Sequence, residues 1–128
     1  MSVATASRAV LRAGVVACLL LATLAFAVHA SEYPLTTRAG LRVHATDVLP
    51  LLALGVLNLV ALEAAPSSRL RATLMGLAIV GNVLLTADAV RLLGPGAPLF
   101  PSLQAGAGAL LVVGSVGCAL TRASAAVR

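Results

Sequence analysis

Acid–base or metal chemistry in this chain has six side chains to draw on: Glu32, Asp47, Glu63, Asp88, His29 and His44. Four of them, His29, His44, Asp47 and Asp88, fall at the same ends of successive apolar runs. Three helix ends meeting at one level would gather two imidazoles and two carboxylates into an outer polar cluster. Such a set can ligate a divalent metal or respond to protons. A plainer account stands beside it. Asp47 suits a helix N-cap, Asp88 can pair with Arg91 at i,i+3, and both histidines suit an interface. Glu63, by the same reasoning, is expected to pair with Arg69 or Arg71, a contact of little energetic weight.

Two asparagines form the second candidate. Asn58 lies ten residues from the outer end of one run, counted from Val48. Asn82 lies ten residues from the outer end of the next, counted from Leu92. At 1.5 Å per residue both sit about 15 Å deep, near the middle of a bilayer. Antiparallel neighbours would bring them level. A buried amide needs a partner, and each asparagine can be the other's, as structural glue or as the lining of a substrate path.

Other chemistry is missing from the sequence. There is no HExxH, GxSxG, P-loop or GxGxxG, and Gly94-Pro95-Gly96 reads as a turn. No catalytic residue, bound metal or cofactor is expected. Cys18 and Cys118 lie inside apolar runs, which argues against a disulfide framework and against a CxxC zinc site. The nine cationic residues are all arginine and are spread along the chain, so the net charge of +5 gives no nucleic-acid footprint. With no Trp, one Tyr and two Phe, no base-stacking platform is available either.

The elements that must position these residues follow from composition. Of 128 residues, 60% are hydrophobic and 10% charged, and 11 glycines add to the apolar share. A soluble domain carries roughly 25% charged residues. The composition predicts a single all-α integral membrane domain, since only helices or closed barrels satisfy their backbone in hydrocarbon and these runs do not alternate. Four helices are expected, at about 9–29, 48–64, 70–93 and 102–121, as an up-down bundle. Breakers separate them: Tyr33-Pro34, Pro66-Ser67-Ser68, and the Gly94–Pro101 stretch. Ser67 or Ser68 and Ser102 are expected N-caps.

Arginine counts orient the bundle. Six (Arg8, Arg12, Arg69, Arg71, Arg122, Arg128) flank one side and three (Arg38, Arg42, Arg91) the other, which puts both termini in the cytoplasm. Phe26, Tyr33 and Phe100 all lie toward the outer side. The all-arginine, alanine-rich composition resembles a GC-rich bacterial coding sequence, so the bacterial cytoplasmic membrane is the expected location. An alternative reads residues 1–30 as a cleaved signal peptide, with Val28-His29-Ala30 as the cleavage site and three helices remaining. Alternation in Leu41–Thr46 predicts a short extended or hairpin-like outer loop.

Small-xxx-small pairs (Gly14/Cys18, Cys18/Ala22, Ala105/Ala109, Gly114/Cys118) predict close helix packing. A faint repeat at offset 59 aligns Ala17 with Gly76, Thr23 with Asn82, His29 with Asp88 and Gly55 with Gly114. The expected role is a small non-enzymatic accessory or structural subunit. Its partners would be the lipid bilayer and another membrane protein or a second copy. The alternative is a small-molecule transporter acting as an oligomer, and after it a metal or redox protein.

Overall fold

Helix formation follows the apolar runs and overshoots them. The structure, a computed structural model, describes residues 2–64, 69–96 and 98–126. Helix α1 spans Val3–Glu32, capped by Ser2, whose hydroxyl accepts the Thr5 N–H at 3.2 Å. Helix α2 runs over Arg38–Glu63, α3 over Arg69–Arg91 and α4 over Leu99–Ala126. All four are long and apolar enough to cross a membrane, and the described residues contain no strand.

The expected extended loop is instead the first two turns of α2. Thr37 caps it, accepting the Gly40 N–H at 3.0 Å. Alternation over six residues is too short to outweigh a cap followed by a helix-compatible stretch. Gly40 decides the geometry. A Cβ there would run into the Pro34 carbonyl, so only glycine lets this turn fold back on the end of α1. Asp47 is consequently interior to α2 and not its N-cap. Likewise Ser102 lies inside α4, its hydroxyl donating to the Pro98 carbonyl at 3.3 Å. Pro101 is accommodated in the first turn of α4, where no intrahelical N–H is needed. The serines expected to cap α3, Ser67 and Ser68, lie outside the described residues. Gly96 has φ +79°, the left-handed turn that the Gly-Pro-Gly sequence supplies.

Helix α2 is not uniform. Residues His44–Val48 form a π-helical turn, closed by the Leu49 N–H donating to the His44 carbonyl five residues back. Pro50 explains it. In a regular α-helix its ring would meet the Thr46 carbonyl and leave that group without a donor. The wider turn just ahead of Pro50 relieves the contact at the cost of one extra residue in the helix. Turns of this kind are often found at functional sites, and this one carries His44 and Asp47.

Each helix packs antiparallel on its sequence neighbours, and α4 closes the ring against α1. The α1–α4 seam is the tightest. A Cβ at Gly114 would lie 2.6 Å from the Leu11 Cα, and one at Gly14 would lie 2.9 Å from the Leu111 nitrogen. Glycine on both helices therefore brings backbone against backbone. Cys18, Ala22 and Cys118 line the same core, whereas Ala109, expected at an interface, is exposed. Nor do the offset-59 positions share environments: Thr23 is exposed and its counterpart Asn82 fully buried.

Apolar side chains cover the outside as well as the core. Leu20, Leu77, Leu84, Val113 and Leu120 point outward, each more than half exposed, while Leu11, Leu51 and Leu111 share the interior with small and polar residues. The exposed hydroxyls of Thr23 and Thr73 donate to carbonyls four residues back, at 2.9 and 3.2 Å, so even the polar groups on the outside are satisfied within the helix.

Candidate functional site

Polar side chains collect in three layers along the bundle. In the middle, Asn58 of α2 faces Asn82 of α3. The Asn58 Nδ2 donates to the Asn82 Oδ1 at 2.9 Å, and the Asn82 Nδ2 donates back to the Asn58 Oδ1 at 3.0 Å. The remaining amide hydrogens are used as well. Asn58 reaches the Leu54 carbonyl at 2.8 Å, and Asn82 the Ser115 hydroxyl on α4 at 3.4 Å. All three side chains are fully buried. Ser115 in turn donates to the Val112 carbonyl at 3.2 Å. Four amide donors thus meet four acceptors, and the layer is closed on itself.

Ser115 was not among the expected site residues, although the signal was present. It lies six residues inside the expected end Thr121, as Asn58 lies six inside Ala64, so the same counting of depth puts the two level.

The second layer sits where α1 ends and α2 begins. His29 Nε2 lies 3.2 Å from the Asp47 Oδ2, and the Thr46 hydroxyl donates to the other Asp47 oxygen at 2.8 Å. His44 is 92% buried; its Nδ1 lies 2.8 Å from the Gly40 carbonyl oxygen. A carbonyl only accepts, so that nitrogen carries the proton. The two imidazole centroids are 6.0 Å apart with rings at 72°, and Phe26 packs edge-on against His44 at 5.3 Å. The nitrogens left over, Nδ1 of His29 and Nε2 of His44, are buried and have no hydrogen-bond partner among the described residues. Beside this pair, Leu24, Val28, Leu99, Phe100 and Leu103 wall an apolar groove of about 350 Å³, with His29 and Asp47 as its polar margin.

Three of the four residues expected in the outer cluster therefore come together, and Asp88 does not. It is exposed on α3 and joins neither ion pair found among the described residues; the pairing expected with Arg91 is not made either. Helix α3 turns Ala78, Asn82, Leu85 and Ala89 inward, which sends position 88 outward. Among the described residues no three His, Cys, Asp or Glu side chains are placed to hold a metal ion together.

At the opposite end is the third layer, of arginines. Glu63 pairs with Arg12 of α1 at 3.9 Å, both side chains about two-thirds exposed, and not with Arg69 or Arg71 as expected. The antiparallel packing sets the end of α2 against the beginning of α1 and brings Arg12 within reach of Glu63. Arg71 is the exception in this layer, 93% buried. Composition did not single it out.

No family model, curated protein or solved structure matches the chain.

Proposed function

We propose that this chain is a four-span integral membrane protein of the bacterial cytoplasmic membrane, with both termini cytoplasmic, and that it serves as a non-enzymatic accessory or structural subunit. One observation carries the reading. The midplane polar groups, where a carrier would keep binding or proton-relay residues, spend their hydrogen bonds on one another. A layer sealed in this way fixes helix register and offers nothing to a passing solute. The outward leucines and valines supply an exterior suited to lipid and to a membrane partner or a second copy.

A transporter acting as an oligomer is the second reading, favoured by the groove beside His29 and Asp47. It is amphipathic, and its volume falls within the range of ligand pockets. It lies at one end of the bundle only.

Purification in mild detergent followed by native mass spectrometry separates the readings. A co-purifying protein at fixed stoichiometry supports the accessory role. A discrete dimer retaining small-molecule adducts overturns it in favour of transport, and a visible chromophore in favour of redox. Orientation is tested by single cysteines at Thr36 and Ser67 in a Cys18→Ala/Cys118→Ala background. An impermeant thiol reagent on whole cells labels position 36 and spares 67; the reverse pattern refutes the topology.

A further inference from the structure

The layer where α1 ends and α2 begins holds two nitrogen lone pairs that neither the fold nor the accessory role uses. The Gly40 carbonyl fixes the proton of His44 on Nδ1, so its Nε2 is a lone pair. The Asp47 carboxylate accepts the Nε2–H of His29, so in the neutral ring Nδ1 is a lone pair as well. Both atoms are shielded from solvent, and neither has a hydrogen-bond partner among the described residues. We propose that His29 Nδ1 and His44 Nε2 together bind one cuprous ion, Cu⁺.

Three observations converge on that ion. The first is what each ring does with its other nitrogen. Histidines that bind metal donate their second N–H to a carboxylate or a backbone carbonyl, which sets the tautomer and raises the basicity of the ligating nitrogen. His29 has the carboxylate, at 3.2 Å, and His44 the carbonyl, at 2.8 Å. The Thr46 hydroxyl holds the other Asp47 oxygen at 2.8 Å. The second is spacing. With metal–nitrogen bonds of about 2.0 Å, two imidazoles sharing one ion have centroids roughly 5–6 Å apart, the longer value for a linear arrangement. The His29 and His44 centroids are 6.0 Å apart. The third is ligand number. Among the described residues no three His, Cys, Asp or Glu side chains are placed around one ion, which leaves two imidazoles alone. Zn²⁺ takes four ligands, whereas closed-shell Cu⁺ accepts two imidazoles in line. A single positive charge also costs less to bring beside Phe26 than a double one, and the Asp47 carboxylate, one ring away, balances it. The π-turn makes the arrangement possible, since it presents both His44 and Asp47 to His29. The groove of about 350 Å³ beside the start of α4, with His29 at its margin, is the route of entry.

The test uses the full chain in non-ionic detergent, with Cys18→Ala/Cys118→Ala so that no thiol competes. Cu⁺ is supplied anaerobically with ascorbate against a chromophoric cuprous chelator, and the copper retained is counted per chain. One equivalent is retained, and X-ray absorption shows two-coordinate copper with imidazole ligands. Zn²⁺ at the same concentration is not held. His29→Gln and His44→Gln each abolish retention while far-ultraviolet circular dichroism stays unchanged. Asp47→Asn keeps both ligands and weakens affinity about tenfold, the usual loss when a histidine's carboxylate partner is removed. Glu32→Gln and Asp88→Asn leave it unchanged. Where His44→Gln does not fold, His29→Gln, at a side chain already 20% exposed, and the absorption spectrum of the parent decide the matter. Copper that survives His29→Gln, a coordination number of three or four, or equal retention of Zn²⁺ each overturns the proposal. No retention at all overturns it too, and assigns the two nitrogens to a bridging water or a shared proton.

Discussion

Replacing Asn82 by Leu removes both amide–amide hydrogen bonds and the contact to Ser115, and leaves the Asn58 carbonyl oxygen buried without a donor. Interhelical hydrogen bonds in membranes average about 0.6 kcal/mol and reach about 1.7, so two of them account for roughly 1–3 kcal/mol. Asn58→Leu strands Asn82 in the same way and costs a similar amount. If the two amides act as a pair, the double variant has no stranded group left, and Leu keeps the branched outline of Asn in a larger side chain. Its loss then stays near that of either single variant rather than doubling. The expected coupling is about 1–3 kcal/mol, against the ~0.5 kcal/mol within which independent sites add. The assay is unfolding in mixed micelles with increasing sodium dodecyl sulfate, followed by far-ultraviolet circular dichroism because the chain has no Trp. Additive losses refute the claim that the layer is a closed unit. Ser115→Ala, which gives up one bond at the long limit of 3.4 Å, is expected to cost less than either asparagine variant.

Three further outcomes follow from the helix faces and from the π-turn. Gly114→Val drives a side chain into the Leu11 backbone and is expected to cost at least about 1–3 kcal/mol, read in the same micelle titration. Gly106→Ala meets nothing within 4 Å and gains up to about 1 kcal/mol from helix propensity; a loss there refutes the placement of that face. Pro50→Ala restores the missing N–H and removes the ring contact, so the π-turn relaxes to α and turns Asp47 about 100° away from His29. Cysteines at 29 and 47, with Cys18 and Cys118 replaced by Ala, then cross-link more slowly than in the Pro50 parent. Unchanged cross-linking means that the proline does not set the turn.

What could be read in advance divides by the physics involved. Existence and number of helices were legible because twenty apolar residues between breakers have one economical conformation in hydrocarbon. The common level of Asn58 and Asn82 along the bundle was legible because helical rise is fixed, so counting residues from the helix ends measures height. Angular position was harder. Whether Asp88 faces inward depends on how α3 is rotated, and that rotation is set by packing of small residues such as Ala78, Asn82 and Ala89, which many faces of this Ala- and Gly-rich chain resemble. The π-turn shifted the phase of α2 as well, which is how Asp47 came to meet His29 from inside a helix. Gly40 and Pro50 each carried a hint, but their effect passes through contacts with Pro34 and Thr46 that only the folded backbone defines.

The reciprocal amide pair also bears on biogenesis. A helix entering the bilayer alone must carry an unpaired carboxamide into hydrocarbon, which is unfavourable for α2 and α3 alike. Only residues 64–68 separate these two helices. Insertion as a hairpin lets each amide enter already bonded to the other, so α2 and α3 form one insertion unit flanked by two helices that can enter singly. Asn58→Leu would then act on α3 before the bundle exists, lowering the yield of inserted chain as well as the stability of what inserts. Glycosylation mapping in a host membrane protein tests this. The α2–α3 hairpin is expected to insert α3 more efficiently than α3 alone, and Asn58→Leu to erase the difference; equal insertion in all three cases would rule the hairpin route out.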